Sequence, residues 1–413
     1  MDADVIVLGA GMVGVSAALA LQQRGRQVWL LDRRAPGEET SHGNAGLLER
    51  AAVIPYGFPR QLSSVLRLAA NRSPDVRYHP ATLPSYAGWL WQYWRESAPA
   101  RLAATGRAML PLLEACLPEH DAWIRAAGVT DLRRSEGLLE AWRSEAGFAA
   151  EAANAQRIAH DYGLGLTVLD AAALRQAEPG LGQGFSGAIH WHDPHSIRDP
   201  GALVRGYAAY FQTLGGVVKQ CAVQGLRQAG KGWQVITDAG VLQAREVVLA
   251  LGPWSDDVFT PLGYRIPLQV KRGYHMHYRA TGPGLQQTVV DMENSFLVAP
   301  MARGLRLATG VELARRDAPP TPNQLAQAEA LAQGLFPLGE RVDAEPWVGC
   351  RPCLPDMRPV IGAAPRHPGL WFCFGHSHLG LTLGPVSGRL LAEMMLGEQP
   401  FTDPAPYSPA RFA

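Results

Sequence analysis

The sequence predicts an α/β fold in which a Rossmann-like domain is interleaved with an α+β domain built on a mostly antiparallel sheet. Three observations carry this. A glycine-rich turn joins a buried strand to a helix at the N-terminus. Short β-rich runs in the middle of the chain return to another buried strand. A second group of strands between 266 and 313 is followed by a helix and by one more buried strand near the C-terminus.

In order, "DVIVLGAGMVGVSAALALQQRGRQVWLLDR" reads as a strand at Val5 to Leu8, a glycine turn, an amphipathic helix ending near Gly25, and a strand from Val28 to Leu31 ending in Asp32. From about Pro59 to Tyr162 apolar residues recur at three and four spacing, which predicts an inserted helical region. In "RDPGALVRGYAAYFQTLGG" Asp199 is a natural N-cap, Pro200 fits the first helical position and Gly215-Gly216 ends the helix. The runs "VVKQCAVQGL", "WQVITD", "VLQA" and "REVVLALG" then read as a meander. "GYHMHY", "SFLVAP" and "LRLATG" are strands, "TPNQLAQAEALAQGLF" a helix and "LWFCFG" a buried strand, and the last helix runs from about Pro385 to Leu396. The domain boundaries that follow are 1–58, 195–265 and 345–413 for the nucleotide-binding part, and 59–194 with 266–344 for the substrate part.

Composition narrows the class. The chain has 413 residues, 47% apolar and 18% charged, with 44 Gly and 32 Pro, as in a loop-rich globular enzyme of two or three domains. Lys plus Arg number 38 against 37 Asp plus Glu, and no run of like charge stands out, so nothing recommends a nucleic-acid partner. No signal peptide and no long apolar span are apparent, and the five cysteines are an odd, scattered set. These features predict a cytoplasmic protein with free thiols.

"GAGMVG" places Gly9, Gly11 and Gly14 in the G-x-G-x-x-G spacing. The first glycine permits a tight turn, the second lets backbone approach a pyrophosphate and the third lets helix pack on strand. Asp32, at the end of the next strand, is placed to accept from ribose hydroxyls. This is the dinucleotide fingerprint, and by itself it does not choose between NAD and FAD.

"ETSHGNAG" and "VVLALGPWSD" make that choice, and "WVGCRPCLPDMRPVIG" carries the same likeness around Arg351. With them the sequence resembles the FAD-dependent D-amino acid oxidase and dehydrogenase family, which includes glycine oxidase and the sarcosine oxidases. The likeness is closest over the first fifty residues, 199–256 and 345–395. It implies an FAD-binding domain of the glutathione-reductase type. It also implies non-covalent FAD held by the fingerprint with Met12 and Val13, by Asp32 and Arg33, and by Thr40, Ser41, Asn44, Ala45, Gly46 and Leu47 running toward the flavin ring. Val223 would meet the adenine, and Ala250, Gly252 and Gly375 would be close-approach residues. Gly380, Leu381 and Thr382 would lead into a helix whose N-terminus stabilises charge on the reduced flavin.

By the same resemblance Arg351 grips the substrate carboxylate, since a planar guanidinium can hold it by two parallel hydrogen bonds. His378 falls where glycine oxidase has a second arginine, and Tyr274 resembles the tyrosine partner of the carboxylate. Tyr56 is a weaker candidate. Cys350 and Cys353 show the C-x-x-C spacing, but Pro352, Pro355 and strand-like flanks argue against a redox pair or zinc site. Attachment of the flavin through Cys350 is the minor alternative. "HWHDPHSIRD", with His190, His192, Asp193 and His195, reads as a loop and not as a metal site. "WLWQYW" reads as helix packing, with a membrane or quinone contact as its alternative.

The expected activity is oxidation of a D-amino acid or cyclic D-imino acid to its imine by hydride transfer from Cα to flavin N5, with D-proline or cis-4-hydroxy-D-proline favoured. The expected partners are that small substrate and a quinone or oxygen as electron acceptor, with peripheral association at the inner face of the membrane or partner subunits as an option. The alternatives are a sarcosine- or glycine-type amine oxidase, and a flavin-bearing subunit active only in a hetero-oligomer.

Overall fold

The computed structural model describes residues 1–413. An eight-stranded sheet runs Val217–Gln220, Val28–Asp32, Ala3–Leu8, Gly240–Leu249, Gly232–Thr237, Val223–Ala229, with Leu370–Phe374 also parallel to Gly240–Leu249 and Val360–Ala363 beside it. Both faces of Ala3–Leu8 are covered. Val5 and Val7 point into a helical layer with Val15, Leu19 and Leu390, and Ile6 and Leu8 into a second core with Trp233, Phe372 and Phe374. This is why the strand reads as an unbroken apolar run instead of an alternating one.

Helices Met12–Gln23 and Gly380–Leu396 cross on that layer, and the crossing depends on absent side chains. A Cβ on Gly388 would stand 2.5 Å from Ser16 O, and one on Gly384 2.4 Å from Met12 Cγ. The other end of the molecule is an eleven-stranded, mostly antiparallel sheet whose longest strand, Gln269–Ala280, pairs with Trp347–Cys353 on one side and Gly304–Ala308 on the other. Leu47–Leu48, His195–Ile197 and Arg133–Arg134 form a small third sheet.

Four expectations need correction. The last helix begins at Gly380, so Pro385 lies inside it and Gly380, Leu381 and Thr382 are its first turn. Proline has no N–H for the carbonyl of Leu381, and the buried His120 supplies one, Nε2 donating at 2.9 Å. "VLQA" and "REVVLALG" are one strand, Gly240–Leu249, because no turn-forming residue separates them. Val217–Gln220 leaves the meander and pairs in parallel with Val28–Asp32 across the sheet. Trp347–Cys353, assigned to the nucleotide-binding part, belongs to the larger sheet. The Asp199 cap is present, its Oδ1 accepting from Ala202 N at 2.9 Å.

Candidate active site

One cavity of about 850 Å³ runs between the two large sheets. At one end lie the glycine turn and the first helix. Gly9 has φ +104°, and a Cβ there would meet Ala250 O at 2.4 Å, while one on Gly14 would meet Gly9 O at 1.8 Å. The turn thus lies against its neighbours with no room for a side chain, leaving Gly9, Gly11, Met12 and Val13 as cavity wall. Asp32 Oδ2 accepts from Ala10 N at 2.7 Å and Oδ1 from Arg34 N at 3.0 Å, which holds the carboxylate at the same end. Burial raises its pKa and those two amides oppose the rise. Arg33 stacks over Trp254, 4.2 Å from the ring centroid, with Val223 and Gly252 on the same wall.

The segment 40–47 continues the wall through Thr40, Ser41, Asn44, Ala45 and Leu47. It is braced from both sides. Ser41 Oγ accepts from Met12 N at 2.9 Å, Thr40 Oγ1 donates to Cys350 O at 2.9 Å, and the buried Arg306 donates to the carbonyls of His42 and Asn44. Ala250, Gly375, Gly380 and Leu381 close the same side. Gly14, Gly46 and Thr382 are not cavity wall. Gly14 packs helix on strand, Gly46 with φ +77° lies against Ile197 O, and Thr382 Oγ1 latches Leu47 O at 3.2 Å while accepting from Glu49 N at 3.1 Å.

Arg351 projects from the Trp347–Cys353 strand into the other end. Its guanidinium donates only to main-chain carbonyls, to Gly310 at 3.1 Å and more weakly to Arg272 and Thr309 at 3.4 Å, and no carboxylate pairs with it. Burial lowers its pKa from a very high starting point, so it stays charged. His378 is held beside it: Cys353 and His376 form a β-bridge, and Ser377 N donates to Pro352 O at 2.9 Å. Burial, then the charges of Arg351 and Lys271, bring His378 down to about 3, so the imidazole is neutral. Its ring lies 5.2 Å from that of Tyr56, which is also cavity wall.

The expectation for Tyr274 is overturned. Gly273 faces Arg351, so by strand alternation Tyr274 points to the opposite side. There its hydroxyl donates to Glu312 Oε2 at 2.7 Å and accepts from Arg272 Nη2 and Thr321 N, both at 2.8 Å, leaving nothing for a substrate.

Alternation also disposes of the cysteine motif. Cys350 and Cys353 are three apart on one strand and point to opposite faces. Cys353 borders the main cavity and Cys350 a separate small cleft with Arg33, Arg34, Arg316 and Trp254. Burial raises the Cys350 thiol. The histidine-rich stretch is a loop only between strands Gly187–Trp191, which carries His190, and His195–Ile197, and its side chains are engaged separately: His190 Nε2 bonds Glu136 O, His192 Nε2 bonds Thr167 Oγ1, and Asp193 accepts from Gly165 N. In "WLWQYW" Trp89 and Tyr93 pack inward, while Trp91 is 60% exposed and stacks on Trp94.

Three cavity residues escaped the sequence reading. Lys271 sits with its Nζ 4.1 Å from the Tyr93 ring and 5.1 Å from that of Trp89. The signal for it was period two: 271, 273 and the paired Arg351 share a face. Glu49 and Glu140 carry carboxylates on the cavity wall, and no motif marks either.

A turn that admits no Cβ at Gly9 or Gly14, a helix start with no acidic residue in its first turn, and a carboxylate at the end of the next strand fit a dinucleotide. The comparisons agree. Residues 4–394 match the family model described as FAD dependent oxidoreductase, DAO. The chain is 31% identical to the D-amino-acid oxidase of Bradyrhizobium diazoefficiens, with 99% of this chain and 98% of that one aligned. It is also 31% identical to the D-amino acid dehydrogenase of Chromohalobacter salexigens, over 99% of this chain and all of that one. The fold matches glycine oxidase from Geobacillus kaustophilus with a TM-score of 0.76 at 21% identity, covering 100% and 99% of the two chains. The protein therefore belongs to the DAO family of FAD-dependent oxidoreductases. It is an enzyme of amino acid oxidation or dehydrogenation with FAD as cofactor. No helix is long and apolar enough to cross a membrane.

Proposed function

We propose that this enzyme oxidises a D-amino or D-imino acid to its imine, with the substrate between Arg351 and the segment 40–47. The observation that carries this is Arg351, a cation with no carboxylate partner, in the same cavity as the glycine cradle. Residues 9–14, 32–33, 40–47, 223, 250–252, 375 and 380–382 would hold FAD, most as cavity wall and Gly14, Gly46 and Thr382 by fixing that wall. When bound, FAD supplies a hydride acceptor.

The chain's own residues do the remaining work. Arg351 fixes the carboxylate and so the face that Cα presents. Neutral His378 accepts a hydrogen bond from the substrate nitrogen and orients it without placing a negative charge beside it. The apolar wall of Leu47, Met109 and Leu297 excludes water. A ring hydroxyl on a substrate such as cis-4-hydroxy-D-proline is a second use for His378, and D-proline the related substrate. Quinone or oxygen would accept the electrons, and the exposed Leu62, Leu66 and Trp91 suit a peripheral contact.

The test is an anaerobic spectrum of the purified protein before and after D-proline, cis-4-hydroxy-D-proline, D-alanine, D-lysine, glycine and sarcosine in turn. Bleaching by D-amino or D-imino acids is expected. Bleaching by glycine or sarcosine alone would replace this reading with an amine oxidase. A flavin that none of them bleaches would leave a subunit dependent on a partner.

A further inference from the structure

The proposed function uses Arg351 and His378 but leaves two carboxylates on the cavity wall without a role. Glu49 follows Leu47–Leu48. Only its main chain is engaged, its N–H donating to Thr382 Oγ1, and neither carboxylate oxygen has a protein partner. Glu140 lies on Leu138–Trp142. Its Oε2 accepts from Trp191 Nε1 at 2.9 Å and its other oxygen is free.

Elsewhere the chain neutralises its deep carboxylates. Asp291 pairs with Arg143, Glu312 with Arg272, Asp356 with Arg411, and Glu178 accepts from the amides of Gln286 and Gln287. The exception is confined to the cavity. Burial and then the charge of Glu140 push Glu49 up to about 7, against the pull of Arg351, and burial raises Glu140 as well. Unpaired carboxylates in such a place are costly unless a counter-charge arrives from outside.

Topology orders the charges. The strand bearing Arg351 pairs with Gln269–Ala280, and from there the sheet runs through Gly304–Ala308, Phe296–Met301 and Thr288–Asp291 to the strand bearing Glu140. At about 4.8 Å per strand those five steps bound the separation at roughly 24 Å, and curl brings the ends nearer. Glu49 feels the charges of both Arg351 and Glu140, and all three line one cavity. The guanidinium and the two carboxylates thus face the same space.

The cation that these carboxylates await is not the α-ammonium. That nitrogen is fixed next to the carboxylate on Arg351 and must give up its proton before the Cα–H bond can break. Two anions around it would hold the proton on.

We infer that Glu49 and Glu140 receive a second positive charge on the substrate, so that the D-amino acid oxidised carries a cationic side chain, an amine or a guanidinium, with its carboxylate on Arg351. The inference rests on the proposed function and, among the D-amino and D-imino acids it admits, selects one with a cationic side chain over the ring substrates. A neutral ring substrate would leave the carboxylates unmatched.

The test compares D-lysine with D-norleucine, its neutral counterpart of equal chain length, by anaerobic rates of flavin bleaching in the wild type, Glu49→Gln and Glu140→Gln, with bound FAD as the check on folding. The wild type is expected to favour D-lysine by about 10- to 100-fold, and each variant to lose most of that ratio. Equal rates in the wild type, a ratio unchanged in both variants, or faster bleaching by D-proline than by D-lysine would overturn the inference while leaving amino acid oxidation standing. Bleaching by no amino acid at all would instead overturn the proposed function. Should Glu49→Gln fail to retain FAD, the wild-type ratio and Glu140→Gln each still decide the point.

Discussion

Gly273 and Arg351 face the cavity from neighbouring strands, and a Cβ at 273 would stand 2.5 Å from Arg351 Nη2. The glycine is the space the guanidinium lies in. Gly273→Ala should push Arg351 off its carbonyl acceptors without touching the FAD cradle. The expected result is a KM raised by about tenfold or more with FAD content unchanged. Steady-state kinetics alongside the flavin-to-protein absorbance ratio check it, and an unaltered KM would mean that Arg351 does not position substrate.

Arg351→Ala removes the only unpaired guanidinium on the cavity wall near His378. A drop in kcat/KM of about 100-fold or more is expected, from losing a desolvated charge pair, again with FAD retained. Arg351→Lys should recover only part of it, because an ammonium offers a point charge and no fork. Full recovery by lysine would show that charge alone suffices.

Both predictions start from a residue the sequence announces, and the limits of that legibility have a physical shape. The glycine turn, Asp32 and the Asp199 cap are local: each is a few adjacent residues whose backbone requirements leave a mark in the sequence. Tyr274 went wrong because sequence proximity to "KRG" said nothing about which face it takes, and the face was set by pairing with a strand some 75 residues away. Pro385 suggested a helix start because the residue that repairs its missing hydrogen bond, His120, is remote in sequence. Glu49 and Glu140 were invisible for the same reason. A carboxylate is ordinary until the fold removes its partners.

Cys350 carries a simpler prediction. Its thiol faces the cleft behind the main cavity and is raised by burial, so it lacks the thiolate character that attack on a flavin needs. Acid precipitation should therefore leave the yellow colour in the supernatant. A yellow pellet would show covalent attachment.

The pH dependence of stability should be governed by buried histidines. His120 is wholly buried, donates from Nε2 to Leu381 O, and in that tautomer accepts at Nδ1 from the Tyr207 hydroxyl at 2.8 Å. Burial holds it down to about 4, and holds the equally enclosed His376 to about 3. An unfolded histidine titrates near 6.5, so between that value and about 4 the unfolded chain takes up a proton that the folded one refuses. More protons on the unfolded side means that stability rises with pH in this window and falls as the solution is acidified. Above about pH 7 both states are neutral and the effect vanishes. For His120 the full window is worth on the order of 3 kcal/mol, from about 1.4 kcal/mol per pH unit. Thermal melts followed by release of flavin fluorescence from pH 8 to pH 5 should show a flat upper region and a falling Tm below about pH 6.5. Glutamine at 120 can still donate to Leu381 O but cannot titrate. His120→Gln should start lower at pH 8, from imperfect packing, and lose less on acidification. A variant curve parallel to the wild type would show that other groups set the acid limit.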